Sequence, residues 1–532
     1  MPDKRLLYLF RGVSWLLLLG ALAWTVRFLL AGYGNPMDPF YWLYKYRVME
    51  GGWMACGTIL AGGAWVRLFG AELLPLRVLG WLCVVIAIAL PYCCLLSREE
   101  RRANIHWLAV AYALMNYGAF QEFSPGALTV PLLSLLWVMM VRYGRKPSVG
   151  LAVAIGLVAG VTVTVRFPNI LVVPVLLAAM SWRNGQWLPL REWRDRGLML
   201  IGGIVAAAVI YGIAAACITP AYADASMGSH QFNAMLTKLW EKGAMMVAMT
   251  AFWGGVALAA MWAERTLPER WKNIGMVLSG LLAGALVSYF ITFVPSTRQW
   301  YNYDVTYMVS AFCLLLALIT RKPALLWGVP CLMVAMLGTD TAWLKLFPIV
   351  LCLLPVAAVQ YTAEWRRFLW PMAMFLAVTV MIRFGINSIG MADLHIADTR
   401  ASVSPYKGIY VTAKENEWME QVVADYDSIH AAYDMPILAV GLQMHRMRAL
   451  TGCEAAKYNE FWSNIFDKVY AAKYREIIQA EHPIVFCSYS PGFKTKPTYH
   501  DKHSALEEML REEGYTELDR SSYKYMIYIP QP

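Results

Sequence analysis

Charge is scarce in this chain. Asp, Glu, Lys and Arg make up 15% of 532 residues, against 59% hydrophobic residues and a mean hydropathy of +0.46. That excludes a single soluble core, because one core cannot bury so much apolar sequence, and it points to a polytopic membrane protein. Other absences narrow the chemistry. No Cys-x-x-Cys pair occurs among the ten cysteines, so neither a zinc ribbon nor a thioredoxin-like redox centre is indicated. Seven of the ten (Cys83, Cys93, Cys94, Cys217, Cys313, Cys331 and Cys352) fall in apolar runs, where Cys is a small core residue. The first apolar run lacks a small-residue cleavage motif and is too long for a signal-peptide core, so it should remain as an anchor. A convincing internal repeat and a mid-helix acid are both missing, which disfavours a transporter of the repeat type.

Positive charge is present in excess, at a net +10, and its distribution matters more than its size. From Met391 onward there are 15 Lys and Arg against 20 Asp and Glu, leaving 31 against 16 before it. The basic excess therefore belongs to the membrane part, and nucleic acid is not an expected partner. Apolar runs predict thirteen crossings, near 6–31, 76–96, 105–121, 126–142, 149–166, 169–182, 198–219, 244–262, 274–294, 305–320, 324–338, 343–360 and 369–389. Basic clusters such as Arg98/Arg101/Arg102, Arg142/Arg145/Lys146 and Arg183/Arg191/Arg194/Arg196 recur at every second connection, and these are cytoplasmic by the positive-inside rule. An odd number of crossings from a cytoplasmic N-terminus leaves the C-terminus outside.

The outer connections are the longer and chemically mixed ones, and the first of them, from Gly32 to the second crossing, organises the rest. Asp38 is placed as the N-cap of a short helix over Pro39 to Glu50, with Pro39 at its first position and Gly51-Gly52 as its stop. A second short helix is expected over Thr58 to Phe69, ended by Gly70. Each is too short to span a bilayer, so both are expected along its surface, with Asp38 and Glu50 beside Lys45, Arg47, Arg67 and Arg77. A carboxylate that takes a proton and cations that stabilise a departing phosphate are what transfer from a lipid phosphate requires. Further along, Glu122 falls in an outer turn and Arg166, Arg298 and Arg383 at outer helix ends, with Tyr301 and Asp304 close by. A single Arg at such a depth is equally well read as snorkelling or ion-paired.

From Met391 the pattern changes to alternating strands and helices: GIYVT, a helix over Ala413 to Ala431, ILAVG, PIVFCS, a helix over Ser504 to Glu513, and YKYMIYI. This predicts a small α/β domain (391–532) with a partly parallel sheet on the outer face of a transmembrane domain (1–390). It contains neither GxGxxG nor GxxxxGK[ST], so nucleotide binding is unsupported. Cys453 and Cys487 both fall on the oxidising side, where a disulfide is chemically allowed. His500, Asp501 and His503 carry metal-compatible side chains in what reads better as a solvated loop.

The stretch DPFYWLYKYRVMEGGW followed by LAGGAWVRLFGAELLPLRVLGWL resembles the first loop of the GT-C superfamily of polyprenyl-phosphate-dependent membrane glycosyltransferases, relatives of the protein O-mannosyltransferases and lipid A aminoarabinose transferases. VRFPNILVVP around Arg166 and the KGIYVTAKEN opening of the C-terminal region are similar to that family as well. Two departures stand out. Pro39 takes the place where the family often has a second acid, and Ala55-Cys56-Gly57-Thr58 takes that of a His-Pro-Pro-like segment. The resemblance implies a GT-C-like polytopic helical fold in a bacterial inner membrane, with a cytoplasmic N-terminus and a periplasmic C-terminal domain. It implies an inverting transferase that moves a sugar from a polyprenyl-phosphate donor to a glycan, lipid or protein acceptor. Asp38 would be the base, assisted by Glu50 or Glu122, and Lys45, Arg77, Arg166, Arg298, Tyr301 and Asp304 would bind substrate. The donor is a substrate rather than a cofactor, and a divalent metal is compatible with its phosphate. The alternative is a non-enzymatic transporter or assembly partner for lipid-linked sugars.

Overall fold

The computed structural model describes residues 4–31, 38–115, 123–183, 186–187, 193–220, 266–293, 323–336, 352–357, 359, 371–372, 375, 378, 397–441, 444–452, 468–488, 506–518 and 525–531. The apolar part is a helix assembly. In chain order it comprises α1 (Lys4–Leu30), α2 (Asp38–Val48), strand β1 (Glu50–Gly51), α3 (Cys56–Phe69), α4 (Leu73–Leu95), α5 (Arg98–Ala103), α6 (Ile105–Met115), α7 (Pro125–Arg145), α8 (Val149–Val165) and α9 (Val172–Ser181). After the short hairpin β2 (Trp182–Arg183) and β3 (Gln186–Trp187) come α10 (Arg194–Cys217), β4 (Thr219–Pro220), α11 (Glu269–Phe293) and α12 (Pro323–Met333). Among the described residues α4, α7 and α10 are long and apolar enough to cross a bilayer. The boundaries follow local chemistry. Ser124 and Ser148 cap α7 and α8 by accepting from the amides of Ala127 and Leu151, and Pro125 opens α7, where its missing N–H costs nothing.

The crossings at 244–262 and 305–320 lie outside the described residues, and those at 343–360 and 369–389 lie mostly outside them. The one expected at 169–182 begins instead with a 3-10 turn over Phe167–Leu171, because Pro168 and Pro174 interrupt regular helix, and only Val172–Ser181 is α-helical. Close packing depends on small residues. A Cβ added at Gly156 of α8 would run into the backbone carbonyl of Met199 on α10, so the two helices approach to backbone contact there.

The C-terminal region contains β5 (Thr399–Arg400), β6 (Tyr410–Val411), α13 (Ala413–Ala432), β7 (Ile437–Gly441), α14 (Met444–Thr451), α15 (Lys468–Glu481), β8 (Ile484–Ser488), β9 (Tyr515–Leu518) and β10 (Tyr525–Pro530). Its sheet has the order β7-β8-β10-β9, with β7 and β8 parallel and the remaining pairs antiparallel. The apolar strands are buried on both faces, by α13 and α14 on one side and by α15 with Leu506, Met509 and Leu510 on the other. Cys487 is a free thiol inside β8, whereas Cys453 lies outside the described residues, as do His500, Asp501 and His503.

Candidate active site

The described residues of the first loop collect at one end of the helix assembly. Helix α2 forms as expected but ends earlier than its sequence predicts. Met49 turns the chain with a φ of 52°, and its carbonyl accepts the Thr219 amide at 2.8 Å. Glu50 therefore leaves the helix and pairs in β1 with Thr219, which corrects the expectation that it shares a helix with Asp38 and that Gly51-Gly52 is the stop. Gly51 serves packing instead, since a side chain there would collide with Ile59. Helix α3 begins at Cys56 rather than Thr58, and Thr58 is fully buried, donating its hydroxyl to the Val165 carbonyl at 2.9 Å. That bond ties the start of α3 to the residue before Arg166.

Nor does α2 lie open on a surface. Phe40, Leu43, Tyr44, Lys45 and Tyr46 are all buried, packed against α3 on one side and against α14 on the other. Tyr46 lies over Gly62, where any Cβ would strike its ring, and its hydroxyl donates to the Phe123 carbonyl at 3.0 Å. The C-terminal region closes over the loop through one shared apolar cluster that runs from Phe40 and Leu76 to Tyr406, Ile409 and Met447. Polar contacts fix its register. The Leu73 amide donates to the Pro405 carbonyl at 3.0 Å, Ser404 donates to a Glu72 carboxylate oxygen at 3.0 Å, and Arg27 donates to the Ala397 carbonyl at 2.9 Å. Arg446 pairs with Glu415 at 2.5 Å and lies over the rings of Tyr406 and Trp418, while Arg448 lies over Tyr44.

The expected substrate-binding cations occupy this end in different ways. Lys45 is buried with its ammonium 4.4 Å from the centre of the Tyr41 ring. Arg77 is fully buried in the first turns of α4 and donates to the carbonyls of Leu29 and Ala31, which close the otherwise open C-terminus of α1. Arg166 is buried between α8 and the 3-10 turn and donates to the Ala335 carbonyl at 2.6 Å. Asp38 is the first residue of α2, and its side chain lies outside the described residues. So do Glu122, Arg298, Tyr301, Asp304 and Arg383. The structure thus brings Lys45, Glu50, Arg77 and Arg166 to the same end as the start of α2.

One carboxylate there went unremarked in the sequence. Glu72 caps the approach to α4, is half-buried beneath Ser404, and has one oxygen buried without a hydrogen-bond partner. Burial raises its pKa above the usual 4.5, opposed by the Ser404 hydrogen bond and by the charges of Lys407 and Arg47. Its only sequence signal is an acid immediately before the LLPLR phrase. Among the described residues no group of three or more His, Cys, Asp or Glu is placed to hold a metal ion.

No protein-family model and no curated protein sequence matches the chain. Among solved structures, the crystal structure of ArnT from Cupriavidus metallidurans bound to undecaprenyl phosphate is similar over 100% of both chains, at 14% sequence identity and a TM-score of 0.42.

Proposed function

We propose that the chain is an inverting glycosyltransferase that uses a polyprenyl-phosphate sugar donor at the outer face of a bacterial inner membrane. The observation that carries this reading is the convergence of the acid-bearing first loop with Arg77 and Arg166 at one end of an apolar helix assembly, roofed by the C-terminal region. Asp38, at the mouth of α2, takes the proton from the acceptor, with Glu50 or Glu122 assisting. Lys45, Arg77 and Arg166, with Arg298, Tyr301 and Asp304 from the later outer segments, neutralise the phosphate as it departs. A sugar, once its bond to phosphate loosens, is attacked from the opposite face, so one displacement inverts the anomeric centre.

The transporter alternative needs ionisable groups deep within spanning helices. In α1, α4, α7, α8 and α10 the only acid is Asp195, the second residue of α10. That favours the enzyme.

The test is direct. The full chain is purified from membranes, the lipid that accompanies it is identified by mass spectrometry, and sugar release from a polyprenyl-phosphate donor is measured for wild type, Asp38→Asn and Asp38→Ala. A polyprenyl phosphate should copurify, and Asp38→Asn should fold yet lose turnover. Wild-type transfer by Asp38→Asn would move the base to Glu50 or Glu122. Absence of both lipid and transfer would overturn the reading.

A further inference from the structure

The far end of α8 holds a second constellation that the transfer reaction does not use. Helix α8 has 17 residues, so its start lies about 25 Å from the first loop. Between that start and the ends of α7, α9 and α10 is a cavity of about 400 Å³, lined among others by Tyr143, Ser148, Trp182, Arg194, Asp195 and Arg196. Arg196 is 3% exposed, and its Nη2 has no hydrogen-bond partner although the side chain forms part of the cavity wall. A buried guanidinium nitrogen without an acceptor is costly, and an anion in the cavity would remove that cost. Two further features agree in sign, and one acid opposes them. The amides that open α8 sit beside Ser148 at the positive end of a long helix. Arg194 adds a second, largely exposed guanidinium. Asp195, the one acid, is held back by the Tyr143 hydroxyl at 2.8 Å and by Arg194 at 3.2 Å.

We infer that this cavity binds a phosphate group, and the surroundings favour one carried by an anionic phospholipid. Trp187 and Trp193 are exposed at its rim, Trp182 stands edge-on to Trp187, and Arg196 lies 5.5 Å from the centre of the Trp193 ring. Indoles gather in this way at the level of lipid headgroups. The basic residues here were read from sequence only as markers of the cytoplasmic side. The cavity makes them a site at the face opposite the proposed transfer chemistry, and its existence does not depend on that chemistry.

Native mass spectrometry of the full chain, released from nanodiscs of phosphatidylcholine with increasing phosphatidylglycerol, reads the half-saturating fraction of the anionic lipid. Arg196→Gln should raise it roughly tenfold, as loss of a charge-assisted phosphate contact does. Arg194→Gln should raise it about threefold. Asp195→Asn should lower it, because the amide still accepts from Tyr143 while a repelling charge is gone; a purely architectural role for Asp195 predicts no such gain. Inorganic phosphate that displaces the lipid would assign the site to a soluble phosphate, and phosphate that leaves it bound would assign the site to the headgroup. Unchanged retention in both arginine variants, or weaker retention in Asp195→Asn, would overturn the inference. Should Arg196→Gln fail to fold, Arg194→Gln and Asp195→Asn decide it.

Discussion

The two ends of α8 both present buried arginines, and they differ in what adjoins them: helix-end carbonyls at one end, a cavity at the other. At the first-loop end, Arg166 donates to the Ala335 carbonyl and Arg77, nearby on α4, donates to the carbonyls that end α1. At the other end Arg196 is as deeply buried, yet one of its guanidinium nitrogens meets no acceptor. A guanidinium has five donors, so burial alone says little about its role; what its donors meet says more. An arginine that closes loose helix ends belongs to the architecture first, and any ligand it binds must be recognised by the donors left over. One with an unmet donor in the wall of a cavity leaves room for an anion to supply the acceptor.

The sharpest way to divide the two ends is to remove chemistry without removing structure. Asp38→Asn should lower the rate of sugar transfer by ~10²–10⁴ while leaving α2 intact, since Asn serves a helix N-terminus about as well as Asp. Circular dichroism and thermal unfolding would report the helix, and turnover the base.

Arg77→Met sharpens the architectural side. It deletes charged donors to Leu29 and Ala31, each worth about 1.5–3 kcal/mol, and should lower the unfolding midpoint by several degrees. Arg166→Met should likewise lower the midpoint, since it deletes the bond to the Ala335 carbonyl. If either variant keeps wild-type stability but loses retention of the polyprenyl phosphate, its guanidinium serves the ligand rather than the fold.

Helices α7, α8 and α10 all run between the two ends, and coupling through the α8–α10 contact is open to test as well. Gly156→Val would push α10 away at Met199, a strain typically costing about 1–3 kcal/mol. Both the lipid retained at the cavity beside the start of α8 and the turnover at the first loop should fall together. Loss at one end alone would show that the two are mechanically separate.

Much of this architecture was legible in the amino-acid order, and the reasons for the rest are local. The apolar runs place α4, α7, α8 and α10 within a few residues, and strand β7 coincides with ILAVG, because runs bounded by turn residues carry strong signals. Met49 was illegible, since its left-handed turn is imposed by the Thr219 amide from far along the chain. The burial of α2 was illegible too. Lys45, Tyr41 and Tyr44 read as a wet helix face until α14 packs across them. The cavity beside the start of α8 escaped for another reason, because a basic cluster between crossings already has an explanation in topology and nothing in one dimension shows that Arg196 is buried.

The smallest expected effect concerns how the roof is held. Glu72 joins the start of α4 to the C-terminal region by accepting from Ser404, and burial, only partly offset by Ser404, Lys407 and Arg47, raises its pKa. For a carboxyl group raised on folding, the stabilising contribution is fully present below the unfolded pKa near 4.5 and is lost as pH climbs through the higher folded value. The contact should therefore be firmest in mild acid and looser at neutral pH. Glu72→Gln removes the charge and keeps an acceptor for Ser404, so the difference in unfolding midpoint between wild type and this variant should shift in the variant's favour as pH rises from about 4.5 to 7. Ser404→Ala removes a bond that favours the carboxylate, and should carry the transition to still higher pH. A difference that stays flat across the range would mean that Glu72 titrates alike in the folded and unfolded chain and that its buried oxygen reaches water.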